Sequence, residues 1–270
     1  MHYISKLILS IDLGGTKLSY SLSEMDGTQL IYEKQNTDVK FLSQLKQIYV
    51  ELEKNWNRKI DVVSIGVPGP VTNGILEPCA PLLNSKPISF SKCFPNLETL
   101  FIRNDMYMAT YAELKEGFGK KHNNFILVSI STGIGVGVVI NNNLLNIRSE
   151  MGHQIILESG DEVRTCINHN NCWASYCSGS AIEKNLKADH YKKLKHFNIL
   201  AFSNLVAAYD PEIIVLMGGV ALNQFEKMIP KSEELSNYIM IEKPPIISPT
   251  FLTEKIGVIG ANLFARDNLY

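Results

Sequence analysis

Five short stretches of this chain hold residues whose types and spacing can do chemistry. The first is Asp12-Leu13-Gly14-Gly15-Thr16-Lys17. Its two glycines let backbone N–H groups approach a phosphate closely, Thr16 can donate to a phosphate oxygen, and Asp12 can hold a hydrated Mg²⁺. The spacing matches neither GxxxxGK[ST] nor GxGxxG. The second stretch, Ser131-Thr132-Gly133-Ile134-Gly135-Val136-Gly137, has three glycines where a simple reversal needs one, which suits a second backbone cradle. In the third, Arg103-Asn104-Asp105, an Asp at a strand end is placed to take a hydroxyl proton while Asn104 bonds the same substrate. The fourth sets Glu150 and His153 three residues apart, able to face one sugar. Cys166, His169 and Cys172 follow and, with His153, offer four Zn²⁺ ligands at believable spacing. The fifth, Met217-Gly218-Gly219, can lie flat against an adenine or ribose. Each stretch also has a plainer reading: a hairpin turn, a packing device, a helix cap, a polar loop with buried thiols, and an ordinary strand-to-helix turn.

Regular elements must position these groups. KLILSID reads as a buried strand entering the first Gly turn, and KLSYSLSE as its hairpin partner, with Asp26-Gly27 as the next turn. LIYEKQNT fits a third strand. Phe41, Leu42, Leu45, Ile48, Tyr49 and Leu52 recur at helical spacing up to about Trp56. A buried strand, DVVSIGV, ends in Pro-Gly-Pro. Two strands at most occupy 75–103, and a helix over YMATYAELKE stops at Gly117. FILVSI and IGVGVVI are strands flanking the second Gly-rich turn, and residues 160–172 form a polar loop. SGSAIE starts a helix that Ser178 can cap. FNILAFSNLVAAY is a helix, EIIVLM a strand, and IGVIGANLFARDN a closing helix. Both halves thus begin with a strand and a Gly-rich turn, a weak internal duplication. It predicts a phosphate clamped between two lobes, with the chain crossing between them near 104–112.

Composition narrows the function. Among 270 residues, 26 are Lys or Arg and 27 are Asp or Glu, a net charge of −1. That balance speaks against a general nucleic-acid or membrane-surface binder, which needs a basic field. No run is long and apolar enough to span a membrane, and the opening lacks a signal-peptide pattern. Five Cys, three of them at 166, 172 and 177, suit a metal or buried thiols in a reducing cytoplasm better than a disulfide framework.

Taken in order, IDLGGTK, IGVPGPV, RNDMYMATYAELKEGFG, STGIGVGVVI, SEMGHQ, CSGSAIE, DPEIIVLMGG and IGVIGANLFA resemble the ROK family of sugar kinases and related repressors. The family includes bacterial glucokinases and kinases of N-acetylmannosamine and N-acetylglucosamine. The resemblance covers nearly the whole chain. It implies an α/β protein of the actin-like ATPase (ribonuclease H-like) fold, with two α/β domains around a cleft. The N-terminal domain is 1–108, with helix 256–270 packing back on it, and the C-terminal domain is 109–255. By position, Asp12 becomes the Mg²⁺-linked carboxylate, and Gly14, Gly15, Thr16 and Lys17 the first phosphate loop. Thr132 and Gly133 fall in the second loop, and Gly218 and Gly219 at the nucleoside. Asn104, Glu150 and His153 match sugar-binding positions, and Asp105 the catalytic base. His153, Cys166, His169 and Cys172 are the expected structural Zn²⁺ ligands.

The expected activity is ATP-dependent phosphorylation of the primary hydroxyl of a hexose or N-acetylhexosamine by a cytoplasmic homodimer, without nucleic-acid or membrane partners. A sugar-binding regulator without turnover is the alternative. A DNA-binding repressor is not expected, since eleven residues before Asp12 are too few for a helix-turn-helix. Three departures from the family stand out. In its CxCGxxGCxE tract the second Cys has become Asn168, with His169 beside it as a substitute ligand. The sugar-binding Glu has become Ala174. The stretch from Ser178 to Leu216 is shortened by about a helical hairpin.

Overall fold

A computed structural model of the chain describes residues 6–147, 150–159, 166, 169–183 and 190–269. The chain divides into two compact units, Met1–Lys115 with Lys255–Tyr270, and Glu116–Glu254. The break falls in the last turn of a helix, a few residues beyond the 108/109 boundary expected from the sequence. Among the described residues no helix is long and apolar enough to cross a membrane.

The first unit is built on strands β1 (Leu7–Leu13), β2 (Lys17–Glu24) and β3 (Gln29–Asn36). Helix α1 (Phe41–Trp56), β4 (Val62–Val67), a small ribbon of β5 (Val71–Thr72) and β6 (Ile75–Leu76), β7 (Thr99–Asn104) and α2 (Asp105–Glu116) follow. The sheet order is β3-β2-β1-β4-β7. The first three strands form an antiparallel meander, while β1, β4 and β7 run parallel. Side chains alternate between the two faces of a strand, so the sequence of β1 sorts itself. Leu7, Leu9, Ile11 and Leu13 join Leu18, Tyr20 and Leu22 under the apolar stripe of α1. Each such fully buried side chain contributes roughly 1.5–3 kcal/mol.

The opposite face starts with Ile8, packed on Val62 and Ala265, and turns small and polar beyond it. Ser10 pairs in register with Ser64 and with Ser21, and Asp12 with Gly66 and with Ser19. These serines are buried. They leave room for the C-terminal helix of this unit to lie close on the strands, where an Asn262 amide donates to Ser23 Oγ at 2.5 Å.

The second unit repeats this strand order. It contains β8 (Phe125–Ile130), β9 (Ile134–Ile140), β10 (Asn143–Leu144), α3 (Trp173–Cys177), α4 (Gly179–Glu183), α5 (His190–Tyr209) and β11 (Ile213–Met217). Helices α6 (Gly219–Asn223), α7 (Phe225–Met228) and α8 (Ser232–Leu235) lead to β12 (Ile246–Pro249), after which α9 (Ile256–Asp267) returns to the first unit. The order is β10-β9-β8-β11-β12, antiparallel on the β10 side and parallel on the β12 side. At the β9–β10 tip Asn141 and Asn142 take positive φ of 51° and 60°, the torsions a two-residue hairpin loop needs. Trp173, Tyr176, Phe197 and Phe202 fill the core over β8 and β11. Two of the large polar side chains there are paired: Trp173 Nε1 donates to Asn198 Oδ1 at 2.6 Å, and Asn198 Nδ2 donates to the Met228 carbonyl at 2.8 Å. Cys93 and Cys177 are buried as expected of small apolar residues. Cys79 is only partly so, with its thiol on Asn84.

Candidate active site

In the first unit, Gly14–Thr16 make the β1–β2 turn. The Gly14 amide donates to the Lys17 carbonyl at 2.8 Å, and Thr37 ties the turn from outside. Its hydroxyl donates to the Gly14 carbonyl at 2.7 Å and its amide to the Thr16 carbonyl at 3.0 Å. A Cβ on Gly15 would stand 2.5 Å from the Pro81 carbonyl oxygen, so only glycine fits there. Gly15, Thr16 and Lys17 are exposed to a ligand. Lys17 has a partner already, its Nζ donating to Asn36 Oδ1 at 2.5 Å.

Asp12 sits at the end of β1, on the serine face. Burial pushes its carboxyl up to about 6, against the opposing pull of Lys34. Asn104 and Asp105 lie where β7 becomes α2. The Asn104 side chain caps that helix: its Oδ1 accepts the amides of Met106 at 2.9 Å and Tyr107 at 3.3 Å, while its Nδ2 donates to the Gly69 carbonyl at 3.0 Å. Gly69 can hold that carbonyl in place because its φ is 111°. Asp105 opens α2, its Oδ1 accepting the Met106 amide at 2.7 Å.

In the second unit, three glycine-bearing turns meet. The Gly179 amide donates to the Ser131 carbonyl at 2.6 Å, and both the amide and the hydroxyl of Ser180 donate to the Thr132 carbonyl, at 3.2 and 2.9 Å. Gly218, with φ 91°, lies so close that a Cβ would be 2.4 Å from the Ile130 carbonyl oxygen. Above Gly133 and Gly219, by contrast, a Cβ would meet nothing within 4 Å. The turns that the sequence assigns to a phosphate and to a nucleoside are therefore adjacent and open.

Glu150 and His153 bracket a single 3₁₀ turn, with the His153 amide donating to the Glu150 carbonyl at 2.8 Å. A Cβ on Gly152 would fall 2.1 Å from the Ile134 carbonyl oxygen, so this turn rests directly on the first residue of β9. Lost solvation holds the Glu150 carboxyl above its ordinary range, with His153 opposing.

His153, Cys166, His169 and Cys172 converge, their ligand atoms all within 4.8 Å of one another. Cys166 Sγ lies 2.9 Å and Cys172 Sγ 3.7 Å from His153 Nδ1. Zinc bonds of about 2.0–2.3 Å place tetrahedral ligand atoms roughly 3.3–3.8 Å apart, so this N₂S₂ set fits the ion. His169 Nε2 is buried beside these ligand atoms. Burial alone would raise the Cys172 thiol, but hydrogen bonds from His153, Ser175 and His169 outweigh it and bring the thiol down to about 6, favouring the thiolate that metals bind. Asn168, the departure from the family's tract, lies outside the described residues, as do 184–189 of the shortened stretch. Ala174 is half-buried on α3.

Sequence reasoning missed the residues packed against these groups: Thr37, Gly69, Pro81, Gly152 and Gly257. Their only signal was an unexplained glycine, proline or threonine. Gly257 lies in the first turn of α9 and Gly260 in its body, where glycine costs about 1 kcal/mol against Ala and so implies a close approach.

The ROK family model matches residues 8–268. The xylose repressor of Bacillus spizizenii is 29% identical over 73% of this chain, which spans 54% of that repressor's length. The glucokinase of Thermotoga maritima is 25% identical, covering 97% of this chain and 98% of that protein. A ROK family glucokinase from Streptomyces griseus, solved with glucose and AMPPNP, superposes with TM-score 0.76 at 18% identity over 97% of this chain and 99% of that one. With its two sheets of one strand order and a family match over nearly its whole length, the chain belongs to the ROK family and has the actin-like ATPase fold.

Proposed function

We propose that this chain is a sugar kinase that moves the γ-phosphoryl group of ATP to the primary hydroxyl of a hexose or N-acetylhexosamine. The observation that carries the reading is the placement of two side chains at the start of α2. Asn104 caps the helix with its own side chain. Asp105 accepts the Met106 amide through Oδ1, which holds its carboxylate at a strand-to-helix junction, where a general base is useful.

In this reading Asp105 takes the proton as the sugar oxygen attacks in line, which leaves the oxygen's electron pair for the new bond to phosphorus. Glu150 and His153 hold sugar hydroxyls, and His153 does so through Nε2 because its Nδ1 faces the two thiols. Backbone amides at Gly14–Thr16 and at Thr132–Gly133 hold phosphate oxygens. Gly218 and Gly219 leave a flat approach for the nucleoside. Mg²⁺ linked to Asp12 would supply positive charge to the phosphates, and a structural Zn²⁺ on the His₂Cys₂ set would fix the turn bearing Glu150 and His153. Ala174 and the similarity to xylose repressors favour one other reading, a sugar-binding regulator without turnover.

The deciding experiment is ADP release measured over glucose, mannose, fructose, allose, N-acetylmannosamine and N-acetylglucosamine, with Asp105→Asn as control. At least one sugar should turn over, and the variant should lose about 10²–10⁴-fold in kcat while sugar still binds. Asn caps as well as Asp, so near-normal turnover in the variant removes Asp105 from catalysis.

A further inference from the structure

Helix α9 reaches the candidate site through a glycine whose neighbours are unusual. A Cβ built on Gly257 meets Asp12 Oδ2 at 2.4 Å, Asp12 Cγ at 2.5 Å and Asp12 Oδ1 at 3.0 Å. All three nearest atoms belong to one carboxyl group. At Gly260, one turn further on, the nearest atom is instead the backbone carbonyl oxygen of Met108, at 1.7 Å. The first glycine therefore gives way to a side chain and the second to the backbone of α2.

At the start of α9, Lys255 occupies the cap position without a side-chain cap bond, and its ammonium lies 4.5 Å from the centre of the Tyr32 ring. The first turn of this twelve-residue helix thus packs at Gly257 against the Asp12 carboxyl, which comes from the opposite end of the chain.

We infer that Gly257 is the positioning residue of the Asp12 carboxylate: its missing side chain lets the N-terminal turn of α9 seat that carboxylate where it can hold Mg²⁺–nucleotide. The inference rests on the kinase reading for the identity of the ligand, but not for the contact itself. Asp12 is short, lies on a strand and is hemmed in by Ser19, Gly66 and α9, so it has few places to go. A methyl group at 257 turns the carboxyl away and leaves the helix and sheet in place, because no backbone atom is among its three nearest neighbours.

The test uses the full-length protein and four chains: wild type, Gly257→Ala, Asp12→Ala and the double variant. Binding of AMPPNP with and without Mg²⁺ and binding of the sugar are measured by calorimetry, and stability by thermal unfolding. Gly257→Ala should weaken Mg²⁺–AMPPNP binding by about 10–100-fold, the usual cost of losing a residue that orients a metal ligand, with sugar affinity unchanged. It should also lower the melting temperature when Asp12 is present, yet leave it equal or raised in the Asp12→Ala background, where the obstructing atoms are gone. Equal destabilisation in both backgrounds would mean that Gly257 serves helix packing alone, and would overturn the inference, as would wild-type nucleotide affinity in Gly257→Ala. If the wild type binds no Mg²⁺–AMPPNP, the ligand assignment falls with the kinase reading. The coupling between positions 12 and 257 in the unfolding data still decides whether Gly257 seats the carboxylate.

Discussion

Replacing Asp12 with Asn should make the metal-free protein more stable. Asn is nearly isosteric, so the contacts of Asp12 with Gly257 and its strand neighbours persist. What changes is charge. Burial raises the carboxyl from 3.8 to about 6, which at 1.36 kcal/mol per tenfold change amounts to about 3 kcal/mol at most. Asp12 keeps some access to solvent, so the measured gain should fall at or below that figure.

The sign follows from proton linkage. Below about pH 4 the folded and unfolded chains both hold the proton, and the substitution is neutral. From about pH 4 to 6 the unfolded chain releases it first, so the wild type progressively loses the stability that its raised pKa confers in acid. Above about pH 6 the whole cost is present. Urea unfolding without Mg²⁺ should therefore show Asp12→Asn ahead by about 1–3 kcal/mol at pH 7.5, with the gap closing towards pH 4. The same variant should bind Mg²⁺–nucleotide poorly. Equal stability at pH 7.5, or a gap that does not change with pH, would refute the claim that this carboxylate is held at a cost.

Protein purified without a His tag should carry about one zinc per chain, and His169→Ala should lower both the zinc content and the melting temperature. Full stability with no metal would leave the His₂Cys₂ cluster held by hydrogen bonds alone. Ala174→Glu should tighten sugar binding by roughly tenfold or more, because a hydrogen bond to a charged acceptor is worth about 1.5–3 kcal/mol; calorimetry showing no change or a loss means a pocket built for a different sugar. Gly218→Ala should unfold more easily in urea, since it combines an unfavourable φ of 91° with a Cβ 2.4 Å from the Ile130 carbonyl oxygen; unchanged stability would show that this turn can relax.

Much of this was legible in the sequence wherever the signal was local. The apolar spacing of α1 is set by its own sixteen residues, and the structure has the helix where that spacing predicts it, Phe41–Trp56. The Gly-rich turns were legible because a glycine run between strands restricts the backbone wherever it falls. The gathering of His153, Cys166, His169 and Cys172 was legible from their spacing together with the resemblance. Helix α5 was read too short, because its first turns, starting at His190, are polar where FNILAFSNLVAAY is apolar. Contacts between distant segments were not legible at all. A glycine announces that something comes close without naming it, so nothing in the sequence paired Gly257 with Asp12, Gly152 with Ile134, or Gly69 with Asn104. A helix cap is the plainer sequence reading of Asn104-Asp105, and the structure has both side chains on the first amides of α2.

The seating of Gly152 on the carbonyl of Ile134 has an evolutionary consequence. The turn bearing Glu150 and His153 is held from two sides: by the strand that leaves the Thr132–Gly133 loop, and by the Cys166, His169 and Cys172 side chains of the segment that follows it. Residues of that segment outside the cluster, such as Ala174, can then be exchanged while Gly152 keeps its seat on β9. In the proposed kinase, such exchanges would rewrite which sugar is recognised while the reach from acceptor to phosphate stays constant, so that one scaffold could serve many sugars.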